Sequence, residues 1–341
     1  MPAPPQLKQV AQGERIQDAL LVLEVEQRTY PPDKECTVLT LGNATGRIAT
    51  SPFWNADQAK VQGIAKGHVV QVIGEVGSYR EKRQLNVTSI RVLPKGTVDP
   101  RSLLPSVGDV TRYWETLDRW RAEIRAPRLR RTLGLFYDDP DFRRRYEACP
   151  ASLRGHHAEL GGLLKHTCEV AAIGRAIAKI CRADADLVLA GALLHDMGKL
   201  ESYNWDAVFE MTECGWLLGH VVLGTLMLER RVKAEDPSPC TNQELMLLHH
   251  LILSHHGSLE HGAPVQPMTL EAEVLHYADN ASAKTASMAS VLADPDNFPG
   301  DALVSPNGHW QIDRRRAYRG RSDWGLTAED GAGPEGNGAS A

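Results

Sequence analysis

The sequence predicts a multidomain chain, an all-β barrel followed by an all-α helical bundle. Three observations predict it. From Ile16 to Leu93 apolar residues come in short runs broken by glycines and polar turns. From Val107 onward they recur at three- and four-residue steps. Eleven of the 13 histidines, all but His68 and His309, crowd into the helical half. The 341 residues allow two ordinary domains with connectors, and a hydrophobic content of 42% is enough to build packed cores.

Residues 1–13 read as a flexible arm, and the barrel spans residues 14–96. ALLVLEVEQRTY, CTVLTL and GRIATSPFW are strand-like, NADQAKVQGIA is a short helical piece, and GHVVQVIGEVGSY and QLNVTSIRVL are two further strands joined by a charged turn. Three strands, a helix and two strands form the element order of an OB-fold. Gly67, Gly74 and Gly77 fit the bends of a tightly curved sheet. Pro52 lies inside the third strand and removes a ladder donor, so that strand should be bulged or at an edge.

Residues 97–145 form a linker and helices, since the stretch from Pro94 to Pro105 is dense in proline and glycine. Tyr113, Leu117, Trp120 and Ile124 then set a helical stripe, continued by Leu129, Leu133 and Phe136. Residues 146–298 form the second domain, helical with interruptions at 200–206, 213–219, 232–241 and 257–269. Residues 299–341 hold a basic segment and a Gly- and Ala-rich tail that should be disordered.

The net charge of −5 excludes a polybasic nucleic-acid binder, so such binding must use local patches. No apolar run of about 18 residues occurs, and the start MPAPPQLKQVAQGER lacks an apolar signal core. No membrane partner is therefore expected. Six cysteines without a CxxC pair fit idle thiols in a reducing cytoplasm.

Four strings carry the histidine cluster: GGLLKHT with His166, GALLHDMGK with His195 and Asp196, LLGH with His220, and LILSHHG with His255 and His256. LHYADN adds Asp279. His195 and Asp196 fall near the end of an amphipathic helix, where Gly198 should stop it. There an imidazole can bind one metal while the adjacent carboxylate bridges two. A hydrogen-bonded core histidine is the other reading of His195 alone. Imidazole with carboxylate suits Mn or Fe better than Mg or Ca, and the lack of cysteine argues against structural zinc.

A His, a His-Asp pair and a distant Asp, with a further His and a His-His pair between, resemble the dinuclear branch of the HD superfamily of metal-dependent phosphohydrolases. The resemblance implies that Asp196 bridges two ions, that His166, His195 and Asp279 hold one, and that His220, His255 and His256 hold the other. Mn is the first expectation for both ions, with Fe, Co or Mg as alternatives. His195, Asp196 and Lys199 are the expected catalytic residues. Lys199, three residues after Asp196, would set an ammonium against a phosphate oxygen, or is a solvated lysine past a helix end. His156 and His157 would contact the substrate phosphate or leaving oxygen, or simply bind loop backbone and water.

The likeness extends over about residues 14–320. HHAELGGLLKHT, LVLAGALLHDMGK, LLGHVVLG, LILSHHGSLEHGAPVQPMTLEAEVLHYADNASAK and GEVGSYREKRQLNVTSIR are similar to the YhaM family of 3′-to-5′ exoribonucleases, which join an N-terminal OB domain to an HD domain. The resemblance implies a metal-dependent exonuclease on single-stranded RNA, with single-stranded DNA as a second substrate, and a homo-oligomer. In the barrel, Phe53, Trp54, Tyr79, Arg80, Lys82 and Arg83 are the candidate RNA contacts, as stacking platforms and phosphate-binding cations; core aromatics and a solvated turn are the plain alternative. Asn43 stands where the family often has Asp. Arg314, Arg315, Arg316, Arg319 and Arg321, with Tyr318 and Trp324, make a further basic patch, which would bind phosphates and bases or be a solvated segment. Two other functions stay open: an HD phosphodiesterase for small or cyclic nucleotides, disfavoured because no GYP string follows His256, and a non-catalytic single-strand binder.

Overall fold

The computed structural model describes residues 4–30, 34–80 and 82–322. The start of the expected arm, Glu81, Trp324 and the Gly- and Ala-rich tail lie outside the described residues. Contacts divide the chain into two units. One comprises residues 1–108, 145–163 and 199–217; the other comprises 109–144, 164–198 and 218 onward.

The first unit is built on β1 (Arg15–Tyr30), β2 (Lys34–Asn43), β3 (Gly46–Ala49), β4 (Phe53–Trp54), β5 (Val69–Tyr79) and β6 (Lys82–Val92), with a 3-10 turn at Asn55–Lys60. The sheet order is β3-β2-β1-β5-β6, with β4 also on β2. A parallel bridge between Thr50 and Leu85 brings the third strand against the last, which closes the OB barrel expected from the sequence. The third strand breaks at Thr50–Pro52, as the proline requires. Gly74 sits at a bulge where β5 shifts register against β6; a Cβ there would meet Asn86 O at 2.7 Å.

Residues 4–13 do not form a loose arm. Leu7 and Val10 are buried in the barrel core with Ile16, Leu20, Leu39, Val72 and Leu85. Arg83 holds them there, its guanidinium donating to Leu7 O at 3.2 Å and Val10 O at 3.1 Å. Asn43 serves the same segment, donating to Pro5 O at 2.9 Å and accepting from Thr45 N–H at 2.9 Å.

The segments 145–163 and 199–217 group with the barrel instead of the helices, because Leu160, Val208 and Phe209 complete an apolar cluster with Leu21, Val69 and Leu104. Arg154 pairs with Glu24 at 2.5 Å and Lys66 with Glu210 at 3.3 Å.

The helices are α1 (Thr111–Glu123), α2 (Pro127–Tyr137), α3 (Pro140–Tyr146), α4 (Gly162–Cys181), α5 (Ala185–Leu194), α6 (Lys199–Ser202), α7 (Glu213–Lys233), α8 (Asn242–Ser254) and α9 (Leu270–Ala293). Between α6 and α7 a hairpin of β7 (Tyr203–Asn204) and β8 (Glu210–Met211) replaces the plain loop expected there. The interruption expected over 213–219 shrinks to one residue, Gly219, at φ 73°. In the second unit α5 is buried on every side from Val188 to Leu194. Such burial makes it the central helix. Asp184 caps its start by accepting from Asp186 N–H at 3.0 Å, and Tyr137 donates to Leu193 O at 2.6 Å near its end. A capping box of Thr241 and Glu244 begins α8. Among the described residues no helix is long and apolar enough to cross a membrane.

Candidate metal centre

The seven expected ligands all lie in the second unit, and the fold brings them together from five helices. His166 comes from α4, His195 and Asp196 from the end of α5, His220 from α7, His255 and His256 from the end of α8, and Asp279 from α9. Asp196, 1% exposed, occupies the middle. Its Oδ2 is 3.5 Å from His166 Nε2 and 3.2 Å from His195 Nε2. Its Oδ1 is 3.3 Å from His220 Nε2 and 3.8 Å from His255 Nε2. Asp279 Oδ1 joins the first set, 3.0 Å from His166 Nε2 and 4.0 Å from His195 Nε2. His166, His195 and Asp196 form one group with ligand atoms within 4.8 Å of one another, and His220, His255 and His256 form another.

Backbone geometry aims the rings. His195 caps α5 and His255 caps α8. Each turns Nδ1 back to the carbonyl three residues earlier, Ala192 O at 2.8 Å and Ile252 O at 2.7 Å. A carbonyl only accepts, so Nδ1 carries the proton and Nε2 faces inward with its lone pair. His166 reaches the same state through side chains: its Nδ1 lies 2.9 Å from Ser282 Oγ, which donates to Glu169 Oε2 at 2.7 Å. Gly219 breaks α7 one residue before His220. His276 donates from Nδ1 to His255 O at 2.9 Å, over Gly257, where a Cβ would stand 2.3 Å from the His276 ring.

Gly198 differs from the expectation. It does not stop α5, which already ends at Leu194. Its hydrogen lets another main chain pass: a Cβ would stand 1.9 Å from His220 O and 2.4 Å from Gly224 N. The glycine thus sets the approach of His220 to Asp196.

Such a convergence of lone pairs fits divalent cations. His195 Nε2 and His166 Nε2 face each other at 3.4 Å with carboxylate oxygens beside them. His255 Nε2 is buried and makes no hydrogen bond. Burial, reinforced by the neighbouring His256 and His195, pushes the His255 pKa well below its ordinary value, so the ring is neutral near pH 7.

The other candidates fall in the first unit. Lys199 is buried at the start of α6. His156 and His157 sit in a tight loop, where His157 takes φ 47° and accepts from Ala151 N–H at 3.1 Å. His156 O accepts from Ser152 Oγ at 2.8 Å. On the barrel, Trp54 is 42% exposed beside Tyr30, at 5.6 Å between ring centroids. Tyr79 is 60% exposed with Arg80 over its ring at 5.3 Å, and Lys82 is exposed. Phe53 is buried in the barrel core and is no platform. Arg83 is occupied by the N-terminal segment and is no phosphate contact. Sequence reading missed Glu169 and Ser282; their signal was the spacing of three residues from His166 and from Asp279, one helical turn in each case.

Residues 163–284 match the family model described as HD domain. The 3′-5′ exoribonuclease YhaM of Bacillus subtilis is 31% identical over 287 residues, covering 82% of this chain and 88% of its own. The chain belongs to the YhaM family. A second YhaM relative, from Bacillus velezensis, is 30% identical over 285 residues with the same coverage, 82% and 88%. A YhaM relative from Oceanobacillus iheyensis is 29% identical over 283 residues, covering 82% and 87%. The second OB-fold domain of replication protein A from Methanococcus maripaludis is 16% identical and covers 28% of this chain and 100% of its own, at a TM-score of 0.22. At that score it carries no weight.

Proposed function

We infer that the protein is a metal-dependent 3′-to-5′ exoribonuclease that shortens single-stranded RNA to nucleoside 5′-monophosphates, with single-stranded DNA as a second substrate. The observation that carries the reading is the Asp196 carboxylate, which turns one oxygen to each of two histidine groups. Membership of the YhaM family supplies the direction and the substrate.

His166, His195 and Asp279 would hold one ion, His220, His255 and His256 the other, and Asp196 both, with Mn as the metal. Bound divalent ions activate the attacking water and neutralise charge on the phosphate. The chain supplies orientation. Backbone carbonyls and the Ser282–Glu169 pair fix the imidazole tautomers before substrate arrives, so no reorganisation is needed. The 3′-oxygen of the penultimate nucleotide leaves. Lys199, His156 and His157 are proposed phosphate and leaving-oxygen contacts. Trp54, Tyr79, Arg80 and Lys82 are proposed contacts to the upstream strand. The same proposal includes a homo-oligomer working in the cytoplasm.

The test is a time course on 5′-labelled single-stranded RNA with Mn and with EDTA. A ladder shortening one nucleotide at a time, abolished by EDTA and by Asp196→Ala, is expected. Intact RNA with hydrolysis of mononucleotides or cyclic dinucleotides would move the assignment to small-nucleotide phosphodiesterase.

A further inference from the structure

The basic stretch near the C-terminus belongs neither to the metal centre nor to the barrel. In the second unit, residues 303–319 fold back on themselves: Val304 pairs antiparallel with Tyr318, and His309 with Arg315. Ser305 clamps the two sides, its N–H donating to Ala317 O and its hydroxyl accepting from Ala317 N–H, both at 2.9 Å. Ile312 and Ala317 are buried against Val291 and Phe298.

Two of the arginines have structural duties. Arg315 Nε donates to Ile312 O at 3.0 Å. Arg319 donates to Gly300 O at 3.1 Å and lies 4.9 Å over the Phe298 ring. Among the described residues the others have no such role. Arg314, Arg316, Tyr318 and, just beyond, Arg321 are exposed. None of these three arginines is in an ion pair among the described residues. Tyr318 is 63% exposed. Its ring lies over Gly320, where a Cβ would stand 2.1 Å from the phenol oxygen. A ring supported from below by a glycine offers its other face to a planar partner.

The tip of this hairpin adjoins elements that carry metal-site residues. Asp313 accepts from Lys284 Nζ at 2.5 Å. Lys284 follows Asp279 by five residues on α9, about 7.5 Å along the helix. The Lys284 hydrogen bond first, then the charges of Arg315 and His261, hold the Asp313 carboxyl below its ordinary value. His261 belongs to the loop that follows the His-His pair, and a Cβ on its neighbour Gly262 would stand 3.7 Å from His256 Nδ1.

We propose that the hairpin is a second contact for single-stranded RNA, with Arg314, Arg316 and Arg321 on phosphates and Tyr318 stacked on a base. The proposal rests on the exoribonuclease reading and adds a site to it. Charge complementarity selects the ligand. Three uncommitted guanidinium groups beside an open ring, on a chain of net charge −5, match a strand that alternates phosphates with planar bases. An acidic peptide would satisfy the cations and leave Tyr318 without a partner.

The test measures binding of a fluorescent single-stranded oligoribonucleotide to the full-length chain across a salt series with Mn present. An Asp196→Asn background keeps the RNA from being consumed. The triple variant Arg314→Ala/Arg316→Ala/Arg321→Ala should flatten the plot of log affinity against log salt by about 2, at roughly 0.7 per phosphate contact. Tyr318→Ala should weaken binding about tenfold or more, and Tyr318→Phe should bind normally, because stacking does not need the hydroxyl. Unchanged slope and affinity in these variants, with the unmodified chain binding and shortening RNA, would overturn this proposal alone. An altered oligomeric state by light scattering with an unchanged slope would also overturn it and assign the hairpin to a contact between copies. Failure of the unmodified chain to bind or shorten RNA would remove both this site and the exoribonuclease reading.

Discussion

Gly198→Ala is the sharpest perturbation of the candidate metal centre that touches none of its proposed ligands. The added Cβ would lie 1.9 Å from His220 O, whereas ordinary contact begins at 3.4 Å. The main chain of α7 must therefore retreat by about 1.5 Å, the difference between the two, and it carries His220 with it. His220 Nε2 stands 3.3 Å from Asp196 Oδ1, so such a shift takes the ring out of reach of a shared ion. Misplacement on the order of 1 Å lowers rate by about 100-fold, and overpacking of this kind destabilises by about 1–3 kcal/mol. The assay is kcat/KM on single-stranded RNA, with metal content by elemental analysis and stability from urea unfolding. Loss of at least 100-fold in kcat/KM and of about one ion per chain is expected. Gly134→Ala in α2 is the control, since its Cβ meets only the movable end of Asp138. A Gly198→Ala protein with normal kcat/KM and normal metal content would refute the reasoning.

Ser282→Ala removes the partner of His166 Nδ1 and should weaken Mn binding at that group by about 10- to 100-fold, read by calorimetric titration. Arg83→Ala removes two charge-assisted hydrogen bonds that hold residues 4–13 on the barrel; a loss of about 2 kcal/mol in urea unfolding is expected, together with faster proteolysis before residue 14. The pH dependence follows from His255, whose folded pKa lies below its unfolded value of about 6.5. The unfolded chain then binds the extra proton as pH falls through about 6.5, so stability is full above that pH and declines below it. Urea unfolding at pH 7.5 and 5.5 checks this, the lower pH giving the lower stability.

The seven candidate ligands were legible because their short strings, taken in order, resemble the HD pattern; spacing along one helix could not have joined residues from five. The OB order was legible from its run of strands and turns, including the break at Pro52. What failed was information about neighbours distant in sequence. Gly198 looked like a helix stop, because nothing local to it announces that the main chain at His220 and Gly224 passes beside it. Leu7 and Val10 are isolated apolar residues in a proline-rich stretch, with no period to mark them as core. Arg83 resembled the rest of its charged turn, although tertiary packing had given it another task. The β7–β8 hairpin escaped notice because strands of two residues have no periodicity.

The way His195 and His255 are held has a consequence for how this centre tolerates change. Their rings are steered by main-chain carbonyls at Ala192 and Ile252, which every amino acid supplies. Substitutions at those two positions leave the steering atoms in place, limited only by packing. A change of length is another matter. One residue inserted or deleted in the last turn of α5 or α8 rotates the capping histidine by about 100° around the helix axis and points it away from the residues that the other helices bring to the site. Within the limits of packing, the steering thus depends on the number of residues leading to each histidine and not on their identity.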